Sequence, residues 1–419
     1  MMVPRDSVSN LIEQEYPSLL RLYKDLHAHP ELSGQEEWTS DRLASELGAA
    51  GFTVTRGIGG HGVVGVLARG DGPVLMIRAD MDGLPIREET DRSYQSRVKA
   101  RDSYGREVDV MHACGHDIHM TAFVGAARIL AGLKNTWSGT IVLIGQPSEE
   151  TVSGAARMIA DGLFTRFPRP DAAIALHVAP DIPAGSIGCR DGIISAGGES
   201  LDIVVSGIGG HAAHPEQARD PVVIASQIIL AFQTIVSREV PPGELGIITV
   251  ASVHGGIKHN AIPDEVTLQV NIRYFKNAIR DLLLNAMKRV AEGIAQSAGL
   301  SPPLFPRITL LPQSVPPMTN DLSLTEKVID AFRLAYGEGH VIRIEPVTGS
   351  EDFGVFGLVE PRIPLCYFRI GCGDGSGSCG FLHSSRFAPS PEVIRDAAGA
   401  LIVAATAILD PSSPYSQGT

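Results

Sequence analysis

The sequence has few cysteines, few aromatic residues and no long apolar segment. Its 419 residues include five cysteines, whose irregular spacing does not suggest a disulfide framework. No apolar run approaches about 18 residues, the length that crosses a membrane. The N-terminus lacks the charged-then-apolar pattern of a secretory signal. We therefore expect a cytoplasmic protein with no membrane partner.

The chain also lacks an excess of positive charge. It has 35 Lys and Arg residues against 47 Asp and Glu residues, a formal net charge of −12. A chain of this kind, without a Lys/Arg cluster, repels phosphate backbones, so we expect no nucleic-acid partner. Apolar residues make up 44% of the chain, which is typical of a globular protein with a hydrophobic core. The length predicts two or three domains.

Short apolar runs alternate with helical segments in the first part of the chain, and this order changes near residue 189. The alternation predicts an α/β fold, with a mostly parallel mixed sheet flanked by helices. The segment 189–315 has the order β-α-β-β-α-β, the split ferredoxin-like arrangement, and reads as an inserted α+β domain. The remaining residues, 1–188 and 316–419, are predicted to form one larger domain around the mostly parallel sheet.

The densest cluster of potential metal ligands is the segment Met111–His119, M-H-A-C-G-H-D-I-H. Cys and His together suit Zn, Mn, Co or Ni. The single glycine between Cys114 and His116 permits a tight turn that aims both side chains at one point. The alternative is a segment that caps the following helix, with Asp117 as the N-cap residue.

Further candidates lie at the ends of predicted strands or in nearby loops. Glu149 and Glu150, in Q-P-S-E-E, point in different directions, so one can bind metal while the other acts as a general base. An acidic helix start is the alternative interpretation. Asp80 or Asp82, in R-A-D-M-D-G-L-P, could orient a ligand or build a turn. Loops at one edge of a parallel sheet converge, which brings in two isolated histidines, His177 and His383.

Motifs of other enzyme classes are absent or incomplete. The segment Gly207–Ala212 matches G-x-G-x-x-A between a predicted strand and helix, as a dinucleotide-binding motif does. The next predicted strand has no acidic residue for a ribose, so a nicotinamide-dependent oxidoreductase is disfavoured. No P-loop, G-x-S-x-G or H-E-x-x-H motif occurs in the sequence, which disfavours P-loop proteins, α/β-hydrolases and zincins.

Seven motifs, in this order, resemble the M20 metallopeptidase clan. They are H-P-E-L-S at His29, R-A-D-M-D-G-L-P at Arg78, M-H-A-C-G-H-D at Met111, Q-P-S-E-E at Gln146, G-G-H-A-A-H-P at Gly209, G-S-E-D-F at Gly349 and L-H-S at Leu382. The similarity spans nearly the whole chain. The most similar branch contains aminoacylases, hippurate hydrolases and indole-acetyl-amino-acid hydrolases, which are N-acyl-amino-acid amidohydrolases.

The resemblance implies a site for two divalent metal ions, with Mn, Zn, Co and Ni as candidates. Cys114 would bridge the two ions. His116 and His177 would complete one site, and Glu150 and His383 would complete the other. Two close ions share a water, lower its pKa and polarise the scissile carbonyl.

The resemblance also implies roles around the metals. Glu149 would be the general base that takes a proton from the metal-activated water and passes it to the leaving amine. Asp80 would orient a metal-site residue from behind. In many members of the clan a metal-binding His stands two residues before this Asp, whereas this chain has Arg78, which fits the branch with Cys and His ligands.

The inserted domain is expected, by the same resemblance, to act as a lid and dimerisation element. His211 would stabilise the oxyanion. Asn260 and Arg273 would contact the carbonyl and the carboxylate of the substrate, and Gly349 is assigned to substrate binding with them. A surface salt bridge is the alternative role of Arg273. A homodimer or homotetramer is expected.

The leading hypothesis is a metal-dependent hydrolase that cleaves the amide bond of N-acyl amino acids to a carboxylic acid and a free amino acid. A dipeptidase or carboxypeptidase that acts on small peptides is the alternative, because the same site cleaves an amide whatever acyl group precedes it. A binding protein that has lost the chemistry should lack the base or a ligand. Glu149 and all five candidate ligands are present, which disfavours that reading.

Overall fold

The computed structural model describes residues 5–133, 136–377 and 379–410. The described chain divides into two compact units. The first unit is formed by the residues up to 194, by 319–345 and by the residues from 352 onward. The second is formed by 195–318 and 346–351. The short segment 346–351 therefore belongs to the second unit, whereas the sequence pattern assigned it to the larger domain.

The α-helices lie between the strands and at both ends of the described chain. They are α1 (Arg5–Ala28), α2 (Glu37–Ala49), α3 (His116–Gly132), α4 (Gly154–Ala160), α5 (Leu163–Arg166), α6 (Pro221–Arg238), α7 (Asn277–Ser297), α8 (Leu322–Tyr336) and α9 (Val393–Ile408).

The strands fall into a large mixed sheet, a four-stranded sheet and several short pairs. They are β1 (Thr53–Ile58), β2 (Gly62–Arg69), β3 (Val74–Asp80), β4 (Lys99–Arg101), β5 (Glu107–Asp109), β6 (Gly139–Gln146), β7 (Ala172–Pro183), β8 (Ile187–Cys189), β9 (Gly192–Ser195), β10 (Gly197–Ser206), β11 (Gly210–His211), β12 (Gly246–His254), β13 (Ala261–Ile262), β14 (Glu265–Tyr274), β15 (Arg307–Val315), β16 (Met318–Asn320), β17 (Val341–Arg343) and β18 (Leu365–Gly373).

The large sheet of the first unit has the strand order β1-β2-β6-β3-β7-β18-β8-β17. Its centre, β6-β3-β7-β18, is parallel, and β1 and β2 join antiparallel at one side. The central strands read as nearly continuous apolar runs because both faces are covered. Helices α3 and α9, which pack together on this core, are buried along almost their whole length. The predicted α/β class is confirmed.

The four-stranded sheet of the second unit has the order β12-β14-β10-β15, with every neighbour antiparallel. Helices α6 and α7 pack on it and on each other. The element order β10-α6-β12-β14-α7-β15 is the β-α-β-β-α-β order predicted from the sequence. The buried side chains of α6 recur every three or four residues, so one face of the helix contributes to the core.

Helix α6 is also the one described helix with the length and apolarity to cross a membrane. Its apolar stripe is occupied within the second unit, where Ile224, Ile228 and Phe232 pack into the core. Core helices of proteins that do not enter membranes pass the same test of length and composition.

In the large sheet, several candidate residues lie at matching positions on neighbouring strands. Asp80, at the end of β3, pairs with Gln146, at the end of β6. On the other side of β3, Arg78 pairs with Ala175 of β7, so Asp80 is level with His177. His177 itself lies inside β7, because pairing with β18 extends that strand as far as Pro183. The apolar run Ala172–Val178 predicts a strand that ends at residue 178, and this end is wrong because β7 continues to Pro183.

Candidate metal centre and substrate-binding residues

A left-handed glycine turns the chain between Cys114 and His116. Gly115 has φ 85° and occupies the N-cap position of α3. A Cβ atom at this position would lie 2.5 Å from the Cγ2 atom of Val178, so both the conformation and the space favour glycine. Asp117 lies inside α3, where its carboxylate accepts from the ring of His27 and from the N–H of Ile118. Because Gly115 occupies the N-cap position, the interpretation of Asp117 as the N-cap residue is wrong.

The first group of potential ligands is Cys114, His116 and His177. The Nδ1 atom of His116 donates to the carbonyl of Asp82 at 2.8 Å, and that of His177 donates to the carbonyl of Val178 at 2.7 Å. These bonds leave the Nε2 lone pair of each ring available, the arrangement usual for metal-binding histidines. The Nε2 atom of His116 is buried and has no hydrogen-bond partner among the described residues. That of His177 lies 3.3 Å from the Sγ atom of Cys114.

The second group is Cys114, Glu150 and His383. The Nε2 atom of His383 lies 3.3 Å from the Sγ atom of Cys114 and 3.5 Å from the Oε1 atom of Glu150. That oxygen is buried without a hydrogen-bond partner among the described residues. His383 has φ 61°, a conformation that its N–H stabilises by donating to the carbonyl of Ala113 at 2.8 Å.

Cys114 therefore belongs to two groups of donor atoms, which share its sulfur. A third group, His116, Glu149 and Glu150, joins the two, and the donor atoms within each group lie within 4.8 Å of one another. A thiolate, imidazole nitrogens and a carboxylate suit borderline divalent ions. Two buried donor atoms, in His116 and Glu150, have no hydrogen-bond partner within the described ranges, which agrees with a cation at this position. The residues fit a pair of metal ions.

The electrostatics of this cluster favour added positive charge. Burial alone would lower the pKa of His116, but Asp80 and Asp82 raise it to about 10. Burial also raises the pKa of Glu150 to about 7, against the opposing effect of His116. Burial, Glu150 and Glu149 together raise the pKa of the Cys114 thiol well above its usual range. The raised pKa values of Glu150 and Cys114 mean that both groups favour a bound proton unless a metal ion supplies the positive charge.

The sequence predicts that Asp80 orients a metal-site residue. In the structure, both Asp80 and Asp82 contact histidines of α3. Asp80 accepts from the Nδ1 atom of His119 at 2.7 Å, and its other oxygen is 3.8 Å from the Nε2 atom of His116. The direct hydrogen bond of His116 is the one that its Nδ1–H donates to the carbonyl of Asp82. The Nε2 atom of His119 accepts from the N–H of Val178 at 3.0 Å, so both ring nitrogens of His119 are already used.

A buried polar network behind Asp80 was not predicted. Arg78 donates to Asp80 at 2.6 Å and to Gln146 at 2.9 Å, and its guanidinium lies 3.4 Å from a carboxylate oxygen of Asp352. Although burial would raise the pKa of Asp80, His116, His119 and Arg78 hold it well below its usual range. The three-residue spacing of His116 and His119 on one helical face was a signal for His119. No local pattern connects Arg78 with Asp352.

His211, predicted to stabilise the oxyanion, and Asn260, predicted to bind substrate, are neighbours in the second unit. His211 lies on β11, where it pairs with Ala261 of β13, and the carbonyl of Asn260 accepts from the N–H of Ala212 at 3.2 Å. Both His211 and Asn260 are exposed. The Nδ1 atom of His211 accepts from the N–H of Ala213 at 3.0 Å. This leaves the Nε2–H of His211 as a donor for a ligand.

Arg273 is linked to the Gly349 segment within the same unit. The half-buried guanidinium donates to Asn271 at 2.7 Å and to the hydroxyl of Ser350. The carbonyl of Gly349 accepts from the N–H of Ala196 at 3.0 Å. Burial lowers the pKa of Arg273, and no carboxylate among its described side-chain partners forms the surface salt bridge considered as the alternative. Arg273 thus keeps a positive charge that no acidic side chain in the described part of the chain pairs with.

Comparison with known proteins agrees with this geometry. A model of the family described as "Peptidase family M20/M25/M40" matches residues 76–405. The chain belongs to the M20/M25/M40 peptidase family. The relatives of this M20 chain include "IAA-amino acid hydrolase ILR1-like 2" of Arabidopsis thaliana, with 33% identity over 90% of this chain and 82% of that protein. They also include "Thermostable carboxypeptidase 1" of Saccharolobus solfataricus, with 31% identity over 93% of this chain and 95% of that protein.

A solved M20 structure is similar over almost the full length. It is the Bacillus subtilis YXEP protein, described as a dinuclear metal binding peptidase from the M20 family. It shares 28% sequence identity and a TM-score of 0.77, over 95% of this chain and 99% of that one. The assignment to the amidohydrolase branch of the M20 family is confirmed, and so is the assignment as a hydrolase.

Proposed function

We propose that this M20 protein binds two divalent metal ions and hydrolyses N-acyl amino acids to a carboxylic acid and a free amino acid. Cys114, His116 and His177 would hold one ion, and Cys114, Glu150 and His383 the other. The observation that carries this proposal is the position of the Cys114 sulfur, which belongs to both groups of donor atoms. Mn, Zn, Co and Ni are the candidate metals.

The residues around this centre divide the chemistry between them. When bound, the two ions would polarise the scissile carbonyl and lower the pKa of water. Glu149, which belongs to one donor group with His116 and Glu150, takes a proton from the attacking water and delivers it to the leaving nitrogen. Glu149 is buried, and its Oε2 atom lies 4.0 Å from the Nε2 atom of His116, beside the proposed metal ligands. Attack by the water forms the new C–O bond and turns the carbonyl oxygen into an oxyanion, and the C–N bond then breaks as the nitrogen takes up the proton.

The second unit supplies the groups proposed to bind substrate. The donor capacity of His211 suits an oxyanion, and the side-chain amide of Asn260 suits the carbonyl of the acyl group. The guanidinium of Arg273 suits the carboxylate of the amino acid, because its planar N–H groups pair with both oxygens. Gly349 lies beside Ser350, the partner of Arg273. The inserted unit is proposed to act as lid and as dimerisation element in a homodimer or homotetramer.

The cytoplasm is the proposed location. All five cysteines are free thiols, and Cys114 has to remain reduced to bind metal. Reducing compartments keep thiols in that state.

The substrate class is tested with a panel of N-acyl amino acids, including hippurate, on protein reconstituted with Mn, Co, Ni or Zn under reducing conditions. We expect turnover that chelation abolishes and metal restores. Glu149→Gln should lower kcat by at least about 100-fold while the metal content stays unchanged. No turnover of any N-acyl amino acid with both ions bound would contradict the proposal.

Hydrolysis of free peptides is the second candidate function, and the similarity to a carboxypeptidase favours it. A dipeptide has a free α-amino group that an acidic partner would have to bind. Parallel assays of N-acetyl amino acids and the matching dipeptides separate the two functions. Higher kcat/KM for the dipeptides would favour the peptidase.

A further inference from the structure

The segment between helices α1 and α2 contains the motif H-P-E-L-S-G-Q-E, which the proposed mechanism does not use. It ends at Glu36, whose side chain is fully buried. The Oε1 atom of Glu36 accepts from the backbone N–H of Ser148 at 2.7 Å and from its hydroxyl at 3.3 Å. Ser148 directly precedes Glu149 and Glu150, the proposed base and metal ligand.

Helix capping does not explain this buried carboxylate. Glu36 stands at the N-cap position of α2, but its side chain makes no capping hydrogen bond. The first N–H groups of α2 are bound instead by Glu31, which accepts from Trp38 at 3.1 Å and from Thr39 at 2.8 Å. The carboxylate of Glu36 is therefore directed to the loop after β6 and not to its own helix.

That loop has a backbone conformation that needs support. Ser148 has φ 56°, a left-handed conformation that is unfavourable for a residue other than glycine. Its carbonyl accepts from the N–H groups of Ser153 and Gly154, both at 3.2 Å. A Cβ atom at Gly154 would lie 1.6 Å from the carbonyl oxygen of Pro147, so the loop closes tightly on itself. The direction of Glu149 and Glu150 depends on this turn.

A second carboxylate holds the far side of the same turn. Asp82 accepts from the N–H of Glu150 at 3.0 Å and from the hydroxyl of Ser33 at 2.6 Å. The carbonyl of Glu31 accepts from the N–H of Gly83 at 2.7 Å. The segment Glu31–Glu36 thus supports the Ser148–Glu150 turn directly through Glu36 and indirectly through Asp82.

We propose that Glu36 is a positioning residue for the hydrolytic reaction, because its carboxylate fixes the left-handed turn at Ser148 and thereby the directions of Glu149 and Glu150. The inference rests on the roles proposed above for those two residues. Glu36 acts through the backbone of Ser148, so it influences the chemistry without contacting substrate. The amide bond is still broken by the groups already described.

Two variants of similar size separate positioning from packing. Glu36→Gln keeps an oxygen that can accept from Ser148, whereas Glu36→Leu keeps the bulk and removes the acceptor. We expect Glu36→Leu to lower kcat for N-acyl amino acids by about 100-fold, with KM within about threefold, because a small displacement of catalytic groups has effects of this size. Glu36→Gln should remain within about fivefold of the unchanged protein.

Glu31→Leu is the matched control in the same segment. It removes the side chain that caps α2, so we expect a lower melting temperature but an unchanged kcat per folded molecule. If Glu36→Leu behaves in the same way, Glu36 is merely structural and the proposal is wrong. Equal losses of kcat in Glu36→Gln and Glu36→Leu would also overturn it.

Binding of Co²⁺ gives a readout that does not depend on turnover. The thiolate-to-cobalt absorption band reports the environment of Cys114, and we expect Glu36→Leu to weaken Co²⁺ binding about 10- to 100-fold through displacement of Glu150. Unchanged Co²⁺ affinity and spectrum would contradict the proposal. This titration decides the role of Glu36 even if the unchanged protein hydrolyses no N-acyl amino acid, a result that would count against the proposed function alone.

If Glu36→Leu does not fold, Glu36→Asp replaces it. Aspartate keeps the charge but is one methylene shorter, so its oxygens no longer reach the N–H of Ser148. The same loss of kcat and Co²⁺ affinity in folded Glu36→Asp supports the proposal, and their retention overturns it.

Discussion

At the residue scale, the site depends on the buried positive charge of Arg78. The side chain of Arg78 is fully buried, between the carboxylates of Asp80 and Asp352. A buried charge is tolerated only when it is paired and hydrogen-bonded, and removal of one partner leaves the others uncompensated. Arg78 therefore keeps Asp80 ionised and available to His119.

Replacement of Arg78 tests this network. We expect Arg78→Met to lower the free energy of unfolding by about 3–5 kcal/mol, because two buried carboxylates lose their cation. Arg343→Met is the control, since Arg343 pairs with Asp191 at the surface and such pairs contribute less than about 1 kcal/mol. Urea denaturation measures the free energy of unfolding of both variants. Equal losses would show that the buried network contributes no more to stability than a surface ion pair.

The raised pKa of the buried His27 ring should make the stability of the protein depend on pH. Burial alone would lower its pKa, but hydrogen bonds with Asp117 and Glu88 raise it to about 9. A raised folded-state pKa stabilises the protein fully below the unfolded value near 6.5, and this contribution is lost as the pH rises through about 9. The stability advantage of the unchanged protein over His27→Gln should therefore shrink between pH 6.5 and 9, by up to about 3 kcal/mol.

Denaturation midpoints of the two proteins, compared at pH 6, 8 and 10, measure this effect. A difference that stays constant over that range would mean that His27 is not charged in the folded protein.

At the scale of elements, the turn into α3 constrains the backbone between two of the proposed metal ligands. Gly115→Ala places a methyl group at φ 85°, 2.5 Å from Val178. We expect a loss of at least about 1 kcal/mol of stability and weaker metal binding, because Cys114 and His116 flank the turn.

Gly132→Ala, at the other end of α3, is the control for Gly115→Ala. No atom lies within 4 Å of its Cβ position, so stability should be unchanged or slightly higher. Thermal unfolding and metal titration distinguish the two variants. A Gly115→Ala protein with normal stability and metal binding would contradict the account of the turn.

The same elements show what a sequence can and cannot predict. The buried strands β3 and β6 and helix α3 were predictable because apolar periodicity and a local cluster of His and Cys mark them. The end of β7 was misplaced because the apolar run stops at Val178, whereas pairing with β18 extends the strand. The contact of Arg78 with Asp352 joins residues 274 positions apart, which no local pattern encodes. Glu36 was overlooked because its partner, Ser148, is 112 positions away.

At the scale of the whole molecule, the residues proposed for metal binding and proton transfer and the residues proposed to contact the substrate belong to different units. The proposed metal ligands and Glu149 belong to the first unit, and His211, Asn260, Arg273 and Gly349 belong to the second. Substitution at Arg273 should therefore raise KM for N-acyl amino acids more than it lowers kcat, without loss of metal. Steady-state kinetics of Arg273→Met test this, and Arg289→Met, which removes an exposed Arg pairing with Glu239 in the same unit, is the control. A loss of bound metal in Arg273→Met would contradict the division.

The most direct test of the account is the number of metal ions bound per chain after reconstitution under reducing conditions. Inductively coupled plasma mass spectrometry measures this number. We expect two ions in the unchanged protein. Because the sulfur of Cys114 belongs to both groups of donors, Cys114→Ala should weaken the binding of both ions. His177→Ala and His383→Ala should each weaken the binding of one ion. A protein that binds no metal, or a Cys114→Ala variant that retains both ions, would contradict the shared site.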